Sequence, residues 1–137
     1  MRVAVTGASG FVGGAVATAL AERGDEVLAF GRTPDGWAHP SPRAVYAQWT
    51  LPSAPPAPLE VDAVVHAAAL ADDWAPIAPA MTANRDGTAA VLAAMRETAP
   101  RARFVHISSS SVTETGHPTV RETEDAAIPT RHSTAYA

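Results

Sequence analysis

The apolar residues fall into two rhythms. Arg2 to Thr6 is a short apolar run closed by Gly7, which predicts a buried strand. Beyond the glycines, Phe11, Val12, Ala15, Val16, Ala19 and Leu20 recur at helical spacing, which predicts a helix with one apolar face, capped at its end by Gly24. Glu26 to Phe30 predicts a second strand. Strand, helix and strand within so short a stretch make a βαβ unit, and that connection makes the strands parallel.

From Thr33 to Glu60 the texture changes, because seven of the 12 prolines fall there and exclude a long helix. Ala44 to Leu51 is the one plausible strand of this region, and the proline-rich run after it reads as an extended surface connection. Val61 to Ala69 is apolar almost throughout and predicts a central parallel strand buried on both faces. Asn84 to Thr98 predicts a helix with Val91, Leu92 and Met95 inward, stopped by Pro100, and Arg103 to Ser108 a fifth strand. After Ser108 the pattern dissolves into loop. Strands alternating with helices predict an α/β fold with a mainly parallel sheet.

Composition removes several functions. The chain has 137 residues, which is one domain's worth, with a net charge of −4 and no basic run, so neither nucleic acid nor an anionic membrane is an expected partner. There is no cysteine, which excludes disulfides, thiolate catalysis and the common zinc modules. The five histidines, His39, His66, His106, His117 and His132, lack the spacing of a ligand pair on one helix face, so no metal is expected. No apolar stretch reaches the length of a membrane span or of a secretory signal, and a cytoplasmic location is the expectation.

The chemistry starts at Thr6-Gly7-Ala8-Ser9-Gly10-Phe11-Val12-Gly13, where the first strand turns into the first helix. Backbone amides of a helix's first turn favour an anion, so Gly7, Ser9, Gly10, Phe11, Val12 and Gly13 read as a cradle for a pyrophosphate. Gly7 permits the tight turn, Gly10 admits the phosphates without a Cβ in the way, and Gly13 lets the helix lie close on the sheet. A strand before the loop and a helix and second strand after it are the context that makes this a dinucleotide signature. The end of the second strand carries Arg32 and no carboxylate, and a guanidinium suits the 2′-phosphate of NADP(H) better than the bare ribose of NAD(H). NADP is therefore the favoured cofactor, with NAD the alternative.

The G-x-x-G-x-x-G spacing resembles the short-chain dehydrogenase/reductase superfamily, and within it the extended and atypical branch, the NAD-dependent epimerase/dehydratase family. Val61 to Ala69 resembles that family's fourth strand, Asn84-Arg85-Asp86-Gly87-Thr88 its N-x-x-G-T, and Ile107 to Val112 its S-S-x-x-V. The resemblance implies a Rossmann-type, open, doubly wound sheet with strand order 3-2-1-4-5, residues 1–137 being the N-terminal, dinucleotide-binding portion. It places His66, Ala67 and Ala68 beside the cofactor, although a histidine at a buried strand end is also what a satisfied core residue looks like. It gives Asn84 the task of fixing backbone near the nicotinamide, beside the plainer one of bracing its helix.

The resemblance further implies a catalytic serine, a tyrosine that gives and takes a proton, and a lysine four residues after that tyrosine. Ser109, with Ser108 and Ser110 as the alternatives, and Tyr136 match, Tyr136 lying 27 residues beyond Ser109 after the lead-in Glu124 to Pro129. Tyr46 reads as packing. Two features depart from the pattern. Thr113-Glu114 stand where Tyr-Gly is usual, and the lysine would fall three residues past Ala137 in a chain with no lysine at all. The sequence is accordingly expected to be a truncated chain, without turnover of its own and with an apolar fifth strand, Phe104, Val105 and Ile107, inviting association with another copy or chain. The implied function is hydride transfer in an oxidoreductase, epimerase or dehydratase, on a sugar nucleotide or another small hydroxy or carbonyl compound. The alternatives are a catalytically inactive dinucleotide sensor and a structural fragment. Asp72, Asp73 and Trp74 follow the fourth strand at the edge where ligands sit, with Trp74 either the floor of a substrate pocket or loop packing.

Overall fold

Five parallel strands form one sheet in the order β3-β2-β1-β4-β5. The computed structural model describes residues 1–113, together with 128, 134 and 136. The strands are β1 (Arg2–Thr6), β2 (Glu26–Gly31), β3 (Ala44–Gln48), β4 (Ala63–His66) and β5 (Arg103–His106). Val5 faces Ala29 on one side of β1 and Val65 on the other, so the central strand is hydrogen-bonded along both edges. The predicted fold class and strand order are those observed.

Alternation along the strands divides the core into two layers. Val3, Val5, Val27, Ala29 and Ala63 face α1 (Phe11–Glu22), while Ala4, Phe30 and Val64 face the other way, onto Val91, Ala94 and Met95. The inward side of α1 differs from the predicted face. Gly13, Ala17 and Ala21 are buried, Val16 and Leu20 are half-buried, and Phe11, Val12, Ala15 and Ala19 are exposed. Residues spaced four apart with almost no side chain let the helix axis approach the strands, and that close seat puts the bulkier residues outside. Gly24, at φ +89, caps the helix as expected, its N–H donating to the Ala21 carbonyl at 3.0 Å.

Three predicted boundaries move. β3 ends at Gln48 rather than Leu51, because Trp49 turns inward, buries itself edge-to-face on Phe30 at 5.3 Å, and donates its indole N–H to the Ser53 carbonyl at 2.9 Å. The expected absence of a helix between β3 and β4 holds, and Leu59 and Val61 fill the core there instead. β4 is shorter than Val61–Ala69: after the Ala67 N–H bonds the Thr6 carbonyl at 3.2 Å, the chain leaves the ladder and runs past the glycine loop. β5 likewise stops at His106 rather than Ser108.

The last helical run begins earlier than predicted. It opens as α2 (Ile77–Ala80), passes through a π-helical turn over Met81–Asp86, and continues as α3 (Gly87–Thr98). Pro76 and Pro79 conceal it in the sequence. Pro79 falls in the first turn, where its missing N–H has no intrahelical partner to lose.

Candidate functional site

The C-terminal ends of the strands open onto a cavity of about 680 Å³. Its floor is the glycine loop. The Ala8 N–H donates to the Phe30 carbonyl and the Gly10 N–H to the Gly7 carbonyl, both at 2.9 Å, so the loop is tied to β2 and to itself. Gly7 stands at φ +75, and a Cβ on it would lie 2.7 Å from the Ala67 carbonyl carbon and the Ala68 nitrogen. A Cβ on Gly13 would strike the Gly7 carbonyl. Gly10 differs: its backbone is extended, and the nearest obstacle to a Cβ is the Gly7 oxygen at 3.3 Å. Space is therefore left free on the cavity side of Gly10, while Gly7 and Gly13 are closed off by the protein's own backbone.

The walls come from four segments. Phe30, Gly31 and Arg32 stand at the end of β2, Trp49, Thr50 and Leu51 after β3, Ala67 to Leu70 after β4, and Ala78, Pro79, Thr82 and Ala83 on the last helical run. No carboxylate is among them. The segment carrying Arg32 is held from β3, where Gln48 Nε2 donates to the Arg32 carbonyl at 2.7 Å and the Tyr46 hydroxyl to the Thr33 carbonyl at 2.6 Å. Tyr46, read as packing, does pack against the core and also braces this segment through its hydroxyl. The Arg32 guanidinium is exposed, and among the described residues it pairs with no acid.

A second cavity, about 100 Å³, adjoins the first and shares Ala68 and Ala69 with it. Ser109, Tyr136, Asn84, Thr88 and His106 line it, with Ile107 and Val112. Ser109 accepts the Ser111 N–H at 3.2 Å and donates to Ser111 Oγ at 3.1 Å, which seats it at the head of the 3-10 turn Ser110–Thr113. Asn84 grips the backbone after β4 with both ends of its amide: Leu70 N–H donates to Oδ1 at 2.7 Å, and Nδ2 donates to the Leu70 carbonyl at 3.3 Å. The π turn brings Asn84 to that position.

The cavity shape suits a dinucleotide on grounds internal to the chain. The loop's two closed glycines and one open one leave room where an anion would meet the first-turn amides of α1, and the volume is that of a ligand cleft. The model of the NAD dependent epimerase/dehydratase family matches residues 3–137. The chain belongs to this family. It is 33% identical over 144 residues to the 3-beta-hydroxysteroid dehydrogenase of Mycolicibacterium neoaurum, with 98% of this chain and 39% of that protein covered. It is 35% identical over 147 residues to the 4-hydroxy-2-methyl-3-oxo-4-farnesyl-3,4-dihydroquinoline-1-oxide ketoreductase of Stigmatella aurantiaca, covering 99% of this chain and 42% of that one. The UDP-glucuronic acid 4-epimerase of Bacillus cereus, solved in complex with NAD, superposes with a TM-score of 0.77 at 26% identity, over 94% of this chain and 46% of that one. The chain spans about two-fifths of the length of the curated relatives it matches.

Within this member of the epimerase/dehydratase family, Gly7, Ser9, Gly10, Arg32, Ala67 and Ala68 line the large cavity and Asn84, Ser109 and Tyr136 the small one. Phe11, Val12 and Gly13 form the first turn of α1 and line neither cavity. The Phe11 side chain is 95% exposed. Glu114 and, apart from Ile128, the lead-in from Glu124 to Pro129 lie outside the described residues. Ala78 to Ala83 escaped notice because two prolines masked the helix and small residues carry no chemical signal. Thr88 had one, since it stands a helical turn after Asn84 in N-x-x-G-T. Among the described residues no group of His, Asp or Glu gathers into a metal site, and no helix is long and apolar enough to cross a membrane.

His66 lines neither cavity; it is buried and joins three elements. Thr88 donates its hydroxyl hydrogen to the Asn84 carbonyl at 2.6 Å, so its oxygen accepts from His66 Nε2–H at 2.9 Å. Nδ1 then accepts from the Thr6 hydroxyl at 2.6 Å, which assigns the neutral Nε2–H tautomer. Burial, seconded by His106 stacked 5.4 Å away, lowers its pKa to about 4. The unfolded chain therefore binds this proton more readily, and stability should be full above about pH 6.5 and fall by up to about 3 kcal/mol as the pH drops towards 4. The Met1 ammonium and the Arg23 guanidinium hold Asp25 below the usual carboxylate range, so its contribution is lost only in stronger acid. Urea unfolding at stepped pH tests this. His66→Asn should be less stable throughout and lack the slope between pH 6.5 and 4, and an unchanged slope would remove His66 as its source.

Proposed function

We propose that residues 1–137 are the dinucleotide-binding portion of an oxidoreductase of the short-chain dehydrogenase/reductase type, which as a whole protein transfers hydride between NADP(H) and a small hydroxy or carbonyl compound. The observation that carries this is the shared wall of the two cavities. Ser109 and Tyr136 line one, the glycine loop and Arg32 the other, and Ala68 and Ala69 belong to both. The names of the two curated relatives, a dehydrogenase and a ketoreductase, support the oxidoreductase reading.

The roles follow from the chemistry of each group. A nicotinamide dinucleotide, when bound, supplies or accepts the hydride. Gly7, Gly10 and the first-turn amides of Phe11, Val12 and Gly13 would hold its pyrophosphate, and Ser9 would line the approach. Ser109 would hydrogen-bond the substrate oxygen and Tyr136 would pass a proton to it or take one from it. Asn84, by gripping Leu70, keeps the backbone wall between the cavities in place. Mixing the whole protein with each reduced cofactor and a panel of ketones, and following loss of the reduced-nicotinamide absorbance, tests the reading, and residues 1–137 alone should bind the cofactor without oxidising it. Cofactor binding by the whole protein with no oxidation across the panel would favour a sensor.

Arg32 supports NADP(H) over NAD(H). Its exposed guanidinium is on the cavity rim without a competing carboxylate, so a 2′-phosphate gains a charged partner that NAD(H) cannot use. Arg32→Ala should weaken NADP(H) by about 10- to 100-fold and leave NAD(H) nearly unchanged. Titration of both cofactors against both proteins checks it, and equal losses for the two would remove Arg32 as the selector.

A further inference from the structure

The segment after β4 presents a strongly apolar surface to solvent. Trp74 is 94% exposed, Ile77 71% and Met81 37%. Trp74 stands on a turn that Asp72 makes, its carboxylate accepting the Trp74 N–H at 3.0 Å and its carbonyl the Ala75 N–H at 3.1 Å. The loop that carries Trp74 has both ends in the wall of the large cavity, Leu70 on one side and Ala78 on the other. Ile77 and Met81 are one helical turn apart and flank Ala78 and Thr82, which also line it. The apolar surface is thus the rim of the site and continuous with it.

The unpaired charge on this segment is of one sign. Between Ala67 and Met95 the only cation is Arg85, and its guanidinium is already paired with Asp86 at 2.7 Å. Asp72 and Asp73 add two carboxylates beside Trp74. A nucleotide-linked substrate would bring a diphosphate to a segment that offers two carboxylates and no free cation, and with Arg32 of the same cavity assigned to the cofactor its phosphates would lose water without gaining a partner there. A neutral apolar molecule would meet an indole face and two aliphatic side chains instead. Ile107 and Val112 continue that character into the small cavity beside Ser109 and Tyr136.

We propose that Trp74, Ile77 and Met81 form the substrate-binding rim for a neutral, lipophilic ring alcohol or ketone. This rests on the reading of the two cavities as a hydride-transfer site. An uncharged substrate of that kind binds by area removed from water, and the indole is the largest exposed contributor to it.

The test uses the full chain saturated with NADP(H), with trans-1-decalone and UDP-glucose as probes, followed by calorimetry and tryptophan emission. Decalone should bind and shift the emission of exposed Trp74 to the blue, and UDP-glucose should do neither. Trp74→Ala should weaken decalone about tenfold and abolish the shift, while Trp74→Phe should keep the affinity within about threefold and lose only the shift. Because Trp74 is exposed, neither variant disturbs the core. UDP-glucose binding as tightly as decalone, decalone affinity unmoved by Trp74→Ala, or no binding of either probe would each overturn the proposal while leaving cofactor binding, and with it the hydride-transfer reading, in place. Failure to bind NADP(H) at all would overturn both.

Discussion

In the whole protein, Tyr136→Phe should lower turnover by about 10²- to 10⁴-fold and leave dinucleotide affinity unchanged, because on the proposed reading it deletes the proton carrier and nothing else. The phenyl ring keeps the shape of the small cavity that Tyr136 lines with Ser109. Ser109→Ala should cost turnover as well, but less cleanly. The Ser109 hydroxyl also accepts the Ser111 N–H, so its removal loosens the 3-10 turn behind it. Ser109→Thr keeps that acceptor and should recover part of the rate. Steady-state rates from reduced-nicotinamide absorbance, paired with cofactor titrations by fluorescence, separate chemistry from binding. Tyr136→Phe retaining its rate to within a few-fold would take the proton out of this residue's hands.

The glycine loop gives the second large effect, and whether stability or cofactor affinity is lost depends on which glycine is changed. Gly13→Val should destabilise the fold by about 3 kcal/mol or more, lowering the melting temperature by roughly 10 °C, because its Cβ would enter the Gly7 carbonyl and α1 would have to lift off the sheet. Lifting α1 uncovers Ala17, Ala21 and the strand residues beneath them. Gly10→Val should melt within a few degrees of the wild type, since its backbone is extended and the single near contact, the Gly7 oxygen at 3.3 Å, can yield by a few tenths of an ångström. The same change should weaken the dinucleotide by about 100-fold or more, because the new side chain fills the space left for phosphate. Calorimetric melts and cofactor titrations of the two variants check both halves. Gly10→Val binding like the wild type would mean that the loop does not hold a pyrophosphate.

Much of this was legible from local pattern. Gly7, Gly10 and Gly13 have different duties, yet their spacing between a strand and a helix announces all three, because a tight turn and a close helix each demand a missing Cβ within a few residues. Gly24 could be read as a cap because a positive φ after a helix favours that residue. Arg32 could be placed because the second strand ends where the Rossmann arrangement ends it. The start of the last helical run was hidden because the two prolines that argue against a helix are tolerated in its first turn.

The sequence by itself determined the order of strands and helices, the parallel sheet and the tight glycine loop between β1 and α1, since periodicity and backbone freedom are properties of neighbouring residues. Only the tertiary structure decided which face of α1 is buried, because burial there follows how closely the helix can approach the sheet rather than how apolar its residues are. It also decided that β4 ends at His66, where the chain must run past Gly7, and that both nitrogens of His66 are engaged by Thr6 and Thr88, 60 and 22 residues away. Ser109 and Tyr136 stand 27 residues apart in the chain and share one small cavity with Asn84. Contacts between residues so far apart are made by packing the layers of the fold, and no local pattern encodes their distance.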